Sequence, residues 1–300
     1  MTPANLAEFR AGGTDLSERR RSGVSRGTVL DIDAPAGVVA EAGGLRLGAL
    51  TSVAALAADP AIARDYPGLA AAAGGLATPQ IRRVATLGGN IAQRNRCWYF
   101  RNPEIACLKK GGEGCPARSG NALYAVAFDT APCVAPHPST LAAALLAYDA
   151  RLDTNQRQGV SMVEALGDGR ATASETALAP GELIVAVVLP APVAGERAAY
   201  KRAIGRAHAE WPLVELVVTA IVEAGVFTRL RLVAGGVAPT PLRLHAAEAA
   251  ASGQPIAAAT FAAAAAAAVA GSNPLPQSRY KLDLLQGLAR ELLETVSRPG

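Results

Sequence analysis

Four cysteines, Cys97, Cys107, Cys115 and Cys133, fall within 37 consecutive residues of a 300-residue chain that has no others. The gaps between them are nine, seven and seventeen residues, and there is no Cys-x-x-Cys pair, which argues against a zinc ribbon. In a chain of this length with no evident secretion signal, clustered thiols read as a metal site before a disulfide scaffold. Four thiolates without an accompanying histidine set suit a cubane [4Fe–4S] cluster. The competing reading is four free buried thiols, a common fate of cysteine, and the clustering weighs against it. His137, His208 and His245 have no spacing that makes a ligand set, and His137 reads as a loop residue near the cysteines. Arg101, Lys109 and Lys110 lie between the cysteines, where they either offset thiolate charge or form a solvated surface.

Two loops carry paired glycines. Ala11–Gly12–Gly13–Thr14–Asp15–Leu16 and Ala85–Thr86–Leu87–Gly88–Gly89–Asn90–Ile91 could each turn successive backbone N–H groups toward one anion, with a threonine hydroxyl as a further donor. Neither loop has the spacing of a Rossmann fingerprint or a P-loop, and an ordinary turn explains either loop taken alone.

These groups must be positioned by a mixed α and β chain. Strands are expected at 27–32, 45–50, 150–154, 183–189, 213–222 and 230–237. Helices are expected at 67–75, 141–148, 255–271 and 282–296, with Thr51 capping another that runs through Ala58. The last helix has Leu282, Leu285, Leu288, Leu292 and Val296 on one face. Residues 88–138 show little periodicity; an irregular segment of that length inside a domain is usually functional or ordered by a ligand. Pro190 and Pro192 mark a domain boundary near 190–197.

Composition narrows the function. Half the residues are hydrophobic and 4% are aromatic, so the core is built from Ala, Val, Leu and Ile. The net charge of +4 is spread along the chain, which gives no nucleic-acid footprint. Arg19–Arg20–Arg21 reads as a solvated loop. The apolar run 261–270 is far short of a membrane span. A cytoplasmic chain is the default expectation, with periplasmic location by co-export with a partner as the alternative.

The two glycine loops and the block Gln93–Arg94–Asn95–Arg96–Cys97–Trp98–Tyr99–Phe100–Arg101 together resemble the FAD-binding subunit of the xanthine dehydrogenase, or molybdenum hydroxylase, family. The similarity is greatest to the aldehyde oxidoreductase branch that carries a [4Fe–4S] cluster in this subunit. His137–Pro138–Ser139, Gly181–Glu182–Leu183–Ile184 and Gly235–Gly236–Val237–Ala238–Pro239 follow in the family's order. The resemblance implies an α+β fold: a vanillyl-alcohol-oxidase-type FAD domain over 1–192, with a shortened N-terminal subdomain, then a smaller α+β C-terminal domain over 193–300.

It also implies noncovalent FAD, contacted by Glu8, Phe9, Arg10, Ala11, Gly12, Gly13, Thr14, Asp15 and Leu16, and by Thr86, Gly88, Gly89 and Asn90. Thr140 stands where the family has an aspartate that contacts FAD. Arg202, beside Lys201, stands where a lysine contact falls. All four cysteines match cluster ligands of that branch. The implied role is electron transfer, because a flavin joins one-electron centres to a two-electron acceptor. Electrons would come from a [2Fe–2S] subunit, an aldehyde or N-heterocycle would be oxidised in a large molybdenum-cofactor subunit, and an external acceptor would be reduced. No residue of this chain is a candidate acid or base for that oxidation. The rival readings are a self-sufficient flavin oxidoreductase and a protein with structural zinc.

Overall fold

The computed structural model describes residues 7–205 and 209–298, so His208 lies outside the described residues. Near the N-terminus, β1 (Ala7–Arg10) and β2 (Thr28–Asp31) form a two-stranded parallel ribbon, with the first glycine loop and the helix Leu16–Arg21 between them. A five-stranded antiparallel sheet follows. It consists of β3 (Val38–Glu41), β4 (Gly44–Gly48), β5 (Arg151–Thr154), β6 (Val160–Ser161) and β7 (Ile184–Leu189), in the order β3-β4-β7-β5-β6. The helices Val53–Ala58, Pro60–Asp65, Pro67–Gly75 and Thr140–Ala147 pack beside it.

A second sheet of β8 (Arg197–Ala203), β9 (Val214–Glu223), β10 (Val226–Gly235) and β11 (Leu242–Arg243) runs in the order β11-β10-β9-β8. One face of this sheet, through Leu216, Val218 and Leu232, covers the helices His245–Ala251, Ala258–Ala267 and Tyr280–Ser297. The other face, through Ala198, Tyr200, Val217 and Val233, joins the core of the first domain. The alternation of side chains along a strand thus locks the two cores together across one sheet.

The expected α+β order holds, and most expected elements are present. Two expectations need correction. Ser52, not Thr51, caps Val53–Ala58, accepting from Ala55 N at 3.1 Å. Thr51 instead bonds both backbone groups of Gly37. Arg19–Arg20–Arg21 is the end of a helix rather than a solvated loop, and Arg19 and Arg20 both pair with the buried Glu8. The segment read as a linker, 190–197, is irregular up to Arg197, where strand β8 begins.

Residues 88–138 contain only the short helices Leu87–Ile91 and Trp98–Arg101 and two 3-10 turns. They are held by small cores of their own. Ala117, Ala122, Ala125, Val126 and Val134 make one, and Val24, Phe100 and Cys107 another. Backbone bonds from Ala127 and His137 to Val237 and Ala238 tie the segment to the second domain. Among the described residues no helix is long and apolar enough to cross a membrane.

Candidate functional site

The two glycine loops converge on one cleft of about 410 Å³. Its walls include Phe9, Ala11 to Leu16, Thr86, Gly88 and Gly89, and the segment Leu178 to Ile184 closes the far side. The loops are packed backbone to backbone. A Cβ on Gly12 would stand 1.8 Å from the Val84 carbonyl oxygen, and Gly13 has φ +70°, a conformation that favours glycine. In the second loop the N–H groups are already used. Leu87 donates to Thr51 O, Gly88 to Ala49 O, Gly89 to the Thr86 hydroxyl and Asn90 to Thr86 O. In the first loop the N–H groups of Gly12, Gly13 and Thr14 donate to none of the described residues. The first loop is therefore the free cradle for a diphosphate, and the second is the scaffold against which it rests.

Several of the residues expected at FAD are not on the walls of this cleft. Glu8 is buried against Arg19, Arg20 and Ser25. Arg10 pairs with Asp31 at the surface. Asn90 is buried beneath the second loop, where its Oδ1 accepts from the Ser139 hydroxyl (2.8 Å) and Leu141 N (3.3 Å). Thr140 lies in the first turn of its helix, and its hydroxyl donates to Glu215 at 2.8 Å, toward the second domain. Arg202 donates to the Glu210 carbonyl. These side chains fasten the elements that shape the cleft.

Asp15 is the exception with two roles. It lines the cleft and accepts ion pairs from Arg19 (3.1 Å), Arg96 (2.7 Å) and Arg101 (2.7 Å). Burial alone would raise its pKa, but the three guanidiniums outweigh that and hold the carboxyl below its ordinary range. Arg96 and Arg101 flank Cys97, so the first glycine loop and the cysteine segment are joined through one carboxylate.

The cysteines also converge. Cys115 and Cys133 lie within reach of each other, and their contact, with nearby Arg118, lowers the pKa of Cys115 below the ordinary thiol range. Burial pushes Cys97 up, with further upward contributions from Cys115 and Cys107, which lie within its electrostatic range. The cations that act on the thiols are Arg118 on Cys115 and Lys109 on Cys133. Arg101 is instead committed to Asp15 and Glu18, and Lys110 to the carbonyls of Tyr99 and Asn102. Among the described residues, no three His, Cys, Asp or Glu side chains surround one point closely enough to hold a single metal ion.

A second pocket, of about 290 Å³, opens between the two domains. Sequence reasoning missed it. Both tryptophans of the chain, Trp98 and Trp211, line it, as do Cys97, His137, Glu215 and Lys281. Glu215 is fully buried; burial raises its pKa, opposed by hydroxyl bonds from Thr140 and Tyr200 at 2.8 and 2.9 Å. His137 is pushed down to about 4 by burial, so it is neutral, and its Nδ1 accepts from Ser139 N. Lys281 donates to the carbonyls of Gly236 (2.7 Å) and Tyr124 (3.3 Å), and burial lowers it to about 7. The sequence did hold a signal for it: Lys281 falls on the same helical face as Leu285, Leu288 and Leu292.

The chain is similar to known flavoprotein subunits. Residues 4–192 match the FAD binding domain in molybdopterin dehydrogenase, and residues 197–296 match the CO dehydrogenase flavoprotein C-terminal domain. The chain is 38% identical over 255 residues to the aldehyde oxidoreductase FAD-binding subunit PaoB of Escherichia coli K12, covering 81% of this chain and 78% of that one. It is 26% identical to the xanthine dehydrogenase FAD-binding subunit of E. coli O157:H7, over 98% and 90% of the two chains. Among solved structures, a carbon monoxide dehydrogenase from Hydrogenophaga pseudoflava superposes with a TM-score of 0.72 at 24% identity, covering 96% of this chain and 88% of the other. Quinoline 2-oxidoreductase from Pseudomonas putida 86 superposes with a TM-score of 0.73 at 19% identity, covering 98% and 95%.

Proposed function

The chain belongs to the FAD-binding subunits of the xanthine dehydrogenase and CO dehydrogenase family, and from that premise we propose that it is the electron-relay subunit of an aldehyde- or N-heterocycle-oxidising molybdenum hydroxylase. The observation that carries this reading is the shared cleft, where a first glycine loop with uncommitted N–H groups rests on a second whose N–H groups are spent. Residues 1–192 serve as the FAD domain and 193–300 as the C-terminal domain. Gly12, Gly13 and Thr14 would hold the diphosphate of FAD through their backbone N–H groups. Phe9, Ala11, Asp15, Leu16, Thr86, Gly88 and Gly89 would shape its bed. Glu8, Arg10, Asn90, Thr140 and Arg202 would act behind that wall. FAD, when bound, supplies the exchange between one- and two-electron carriers.

Cys97, Cys107, Cys115 and Cys133 would hold a [4Fe–4S] cluster. Four thiolates without a histidine set or a Cys-x-x-Cys pair favour the cluster over zinc. The partners are a [2Fe–2S] subunit and a large molybdenum-cofactor subunit, with an external molecule taking the electrons.

The test is co-expression with the two partner chains under anaerobic conditions. One stable complex is expected, with acid-released FAD, iron and sulfide, and with aldehyde-dependent dye reduction. A chain that stays alone beside those partners and oxidises substrate unaided with full FAD would overturn the relay reading.

A further inference from the structure

Between the helix Met162–Leu166 and strand β7, residues 167–183 form neither helix nor strand. Yet Ser174, Thr176 and the run from Leu178 line the glycine-loop cleft, so this stretch is a strap across it. Its C-terminal part is tied to the first domain. Ala177 N donates to Ala165 O at 2.8 Å, Leu178 packs half-buried on that domain's core, and Arg157 Nε donates to Glu182 at 2.8 Å. Its middle is held otherwise. From Gly167 to Gly181 the only buried residue is Glu175. Apolar side chains are the usual inward anchors of a chain segment, and carboxylates are almost never buried unless paired. Here the anchor is a carboxylate.

The side chains that hold this carboxylate flank two of the cysteines. Glu175 pairs with Arg94 and, at 3.8 Å, with Lys109. It also accepts from Asn95 Nδ2 at 2.7 Å and from Asn95 N at 3.3 Å. The same residues grip the strap's backbone: Lys109 donates to the carbonyls of Ala171 and Ser174, and Arg94 to that of Ala173. Asn95 Oδ1 in turn accepts from Cys97 N at 3.0 Å, and Lys109 stands two residues beyond Cys107. The backbone that presents Cys97 and Cys107 therefore places all three holding residues. A buried ion pair offsets its desolvation only while its geometry is kept, so the strap's hold depends on the order of that backbone.

We propose that Glu175 is a latch through which cluster occupancy tightens FAD binding. A cluster on the four cysteines fixes Arg94, Asn95 and Lys109, these hold Glu175, and the strap stays closed over the cleft. The proposal rests on the relay reading above. Glu175 is not on the cleft wall; it acts through its neighbours, as a positioning residue. Coupling between two sites is reciprocal, so bound FAD tightens the cluster by the same factor. A chain that loses its iron then also sheds its flavin.

The test uses the complex with both partner chains. The Kd for FAD is measured by flavin fluorescence over a dilution series, with the cluster present and after anaerobic removal of its iron by a chelator. Iron removal and Glu175→Gln are each expected to weaken FAD binding about tenfold. Together they should weaken it no further than either does alone, because both open the same latch. Glu175→Asp keeps the charge and should recover part of the loss. A second measurement needs no variant: at saturating FAD, hydrogen exchange of residues 171–176 in the wild type should rise on iron removal, while that of β9 stays unchanged. Additive effects of the two perturbations, or strap exchange that ignores the iron, would overturn the latch alone. A preparation isolated with FAD but without iron and sulfide would overturn both the latch and the cluster part of the relay reading.

Discussion

Gly12 and Gly13 are adjacent, yet the structure predicts different consequences for the same substitution. A Cβ on Gly12 would stand 1.8 Å from Val84 O and 2.7 Å from Val84 C. Both obstacles are backbone, so no rotamer change relieves them, and the two loops must part. Overpacking of this kind costs about 3 kcal/mol. If the loops part where FAD binds, that strain appears as a roughly hundredfold weaker Kd for FAD. At Gly13 a Cβ meets nothing closer than the Ser17 hydroxyl at 3.3 Å, so space is adequate and the cost lies in φ +70°. An alanine there costs about 1–2 kcal/mol, and asparagine, which tolerates the left-handed region, costs less. The expected order of FAD retention is wild type, Gly13→Asn, Gly13→Ala, Gly12→Ala. It is measured by flavin fluorescence on release from the purified complex at a series of dilutions. If Gly12→Ala held FAD as tightly as wild type, close docking of the two loops would not be what shapes the cleft.

Cys107→Ser replaces a soft ligand with a poor one, so iron and sulfide should fall toward zero while FAD is retained; stoichiometric zinc without sulfide in the wild type would refute the cluster. Asp15→Asn leaves Arg96 and Arg101 with Glu18 as their only carboxylate and should cost about 1–3 kcal/mol, read as a lower Tm with loss of both FAD and iron; loss of FAD alone would show that the cysteine segment does not depend on this link. Lys281 is pulled from 10.5 to about 7 by burial. Between those values the unfolded chain binds more protons than the folded one, so stability should rise with pH across that window. Below about pH 7 the full cost of the buried charge is present. Thermal melts of Lys281→Met should lose this slope, and an unchanged slope would place the titration elsewhere.

What could be read from the sequence followed from periodicity. The run Val214–Glu223 and the stripe through Leu285, Leu288 and Leu292 fold as their spacing requires, because burial of one face decides their conformation. Strand β8 was missed because Arg197–Ala203 carries three charges, three alanines and a single tyrosine, with no alternating apolar pattern. Its strand character comes from being clamped between two cores, Ala198 and Tyr200 against one and Ala199 and Ala203 against the other. That is tertiary information, and no local window contains it. The glycine loops were legible as a pair but not as unequal partners. Which N–H groups are free depends on Ala49 and Thr51, which approach from about 35 residues away in the chain. The interdomain pocket was hidden because its walls come from six separate stretches, from Arg96 to Lys281.

The cysteine segment poses a physical question that its sequence alone leaves open: what orders nearly forty residues that form no sheet. Ordering such a segment costs about 1–2 kcal/mol of backbone entropy per residue, far more than its two small cores can return. The remaining fastenings are polar and lead outward. Arg101 and Arg96 reach Asp15 in the first glycine loop. Arg94 and Lys109 reach the buried Glu175, whose carboxyl stays ionised against burial because of them. Arg118 holds Asp129 and the carbonyls of Ala131 and Pro132 across the turn that carries Cys133. Each of these cations therefore orders a cysteine-bearing stretch by pairing with a carboxylate, and Arg118 and Lys109 act on the Cys115 and Cys133 thiols as well. Because Asp15 and Glu175 belong to parts of the chain beside the cleft, the cysteine segment and the flavin bed share their supports. A change that empties one should loosen the other, because Asp15 lines the cleft and also pairs with Arg96 and Arg101.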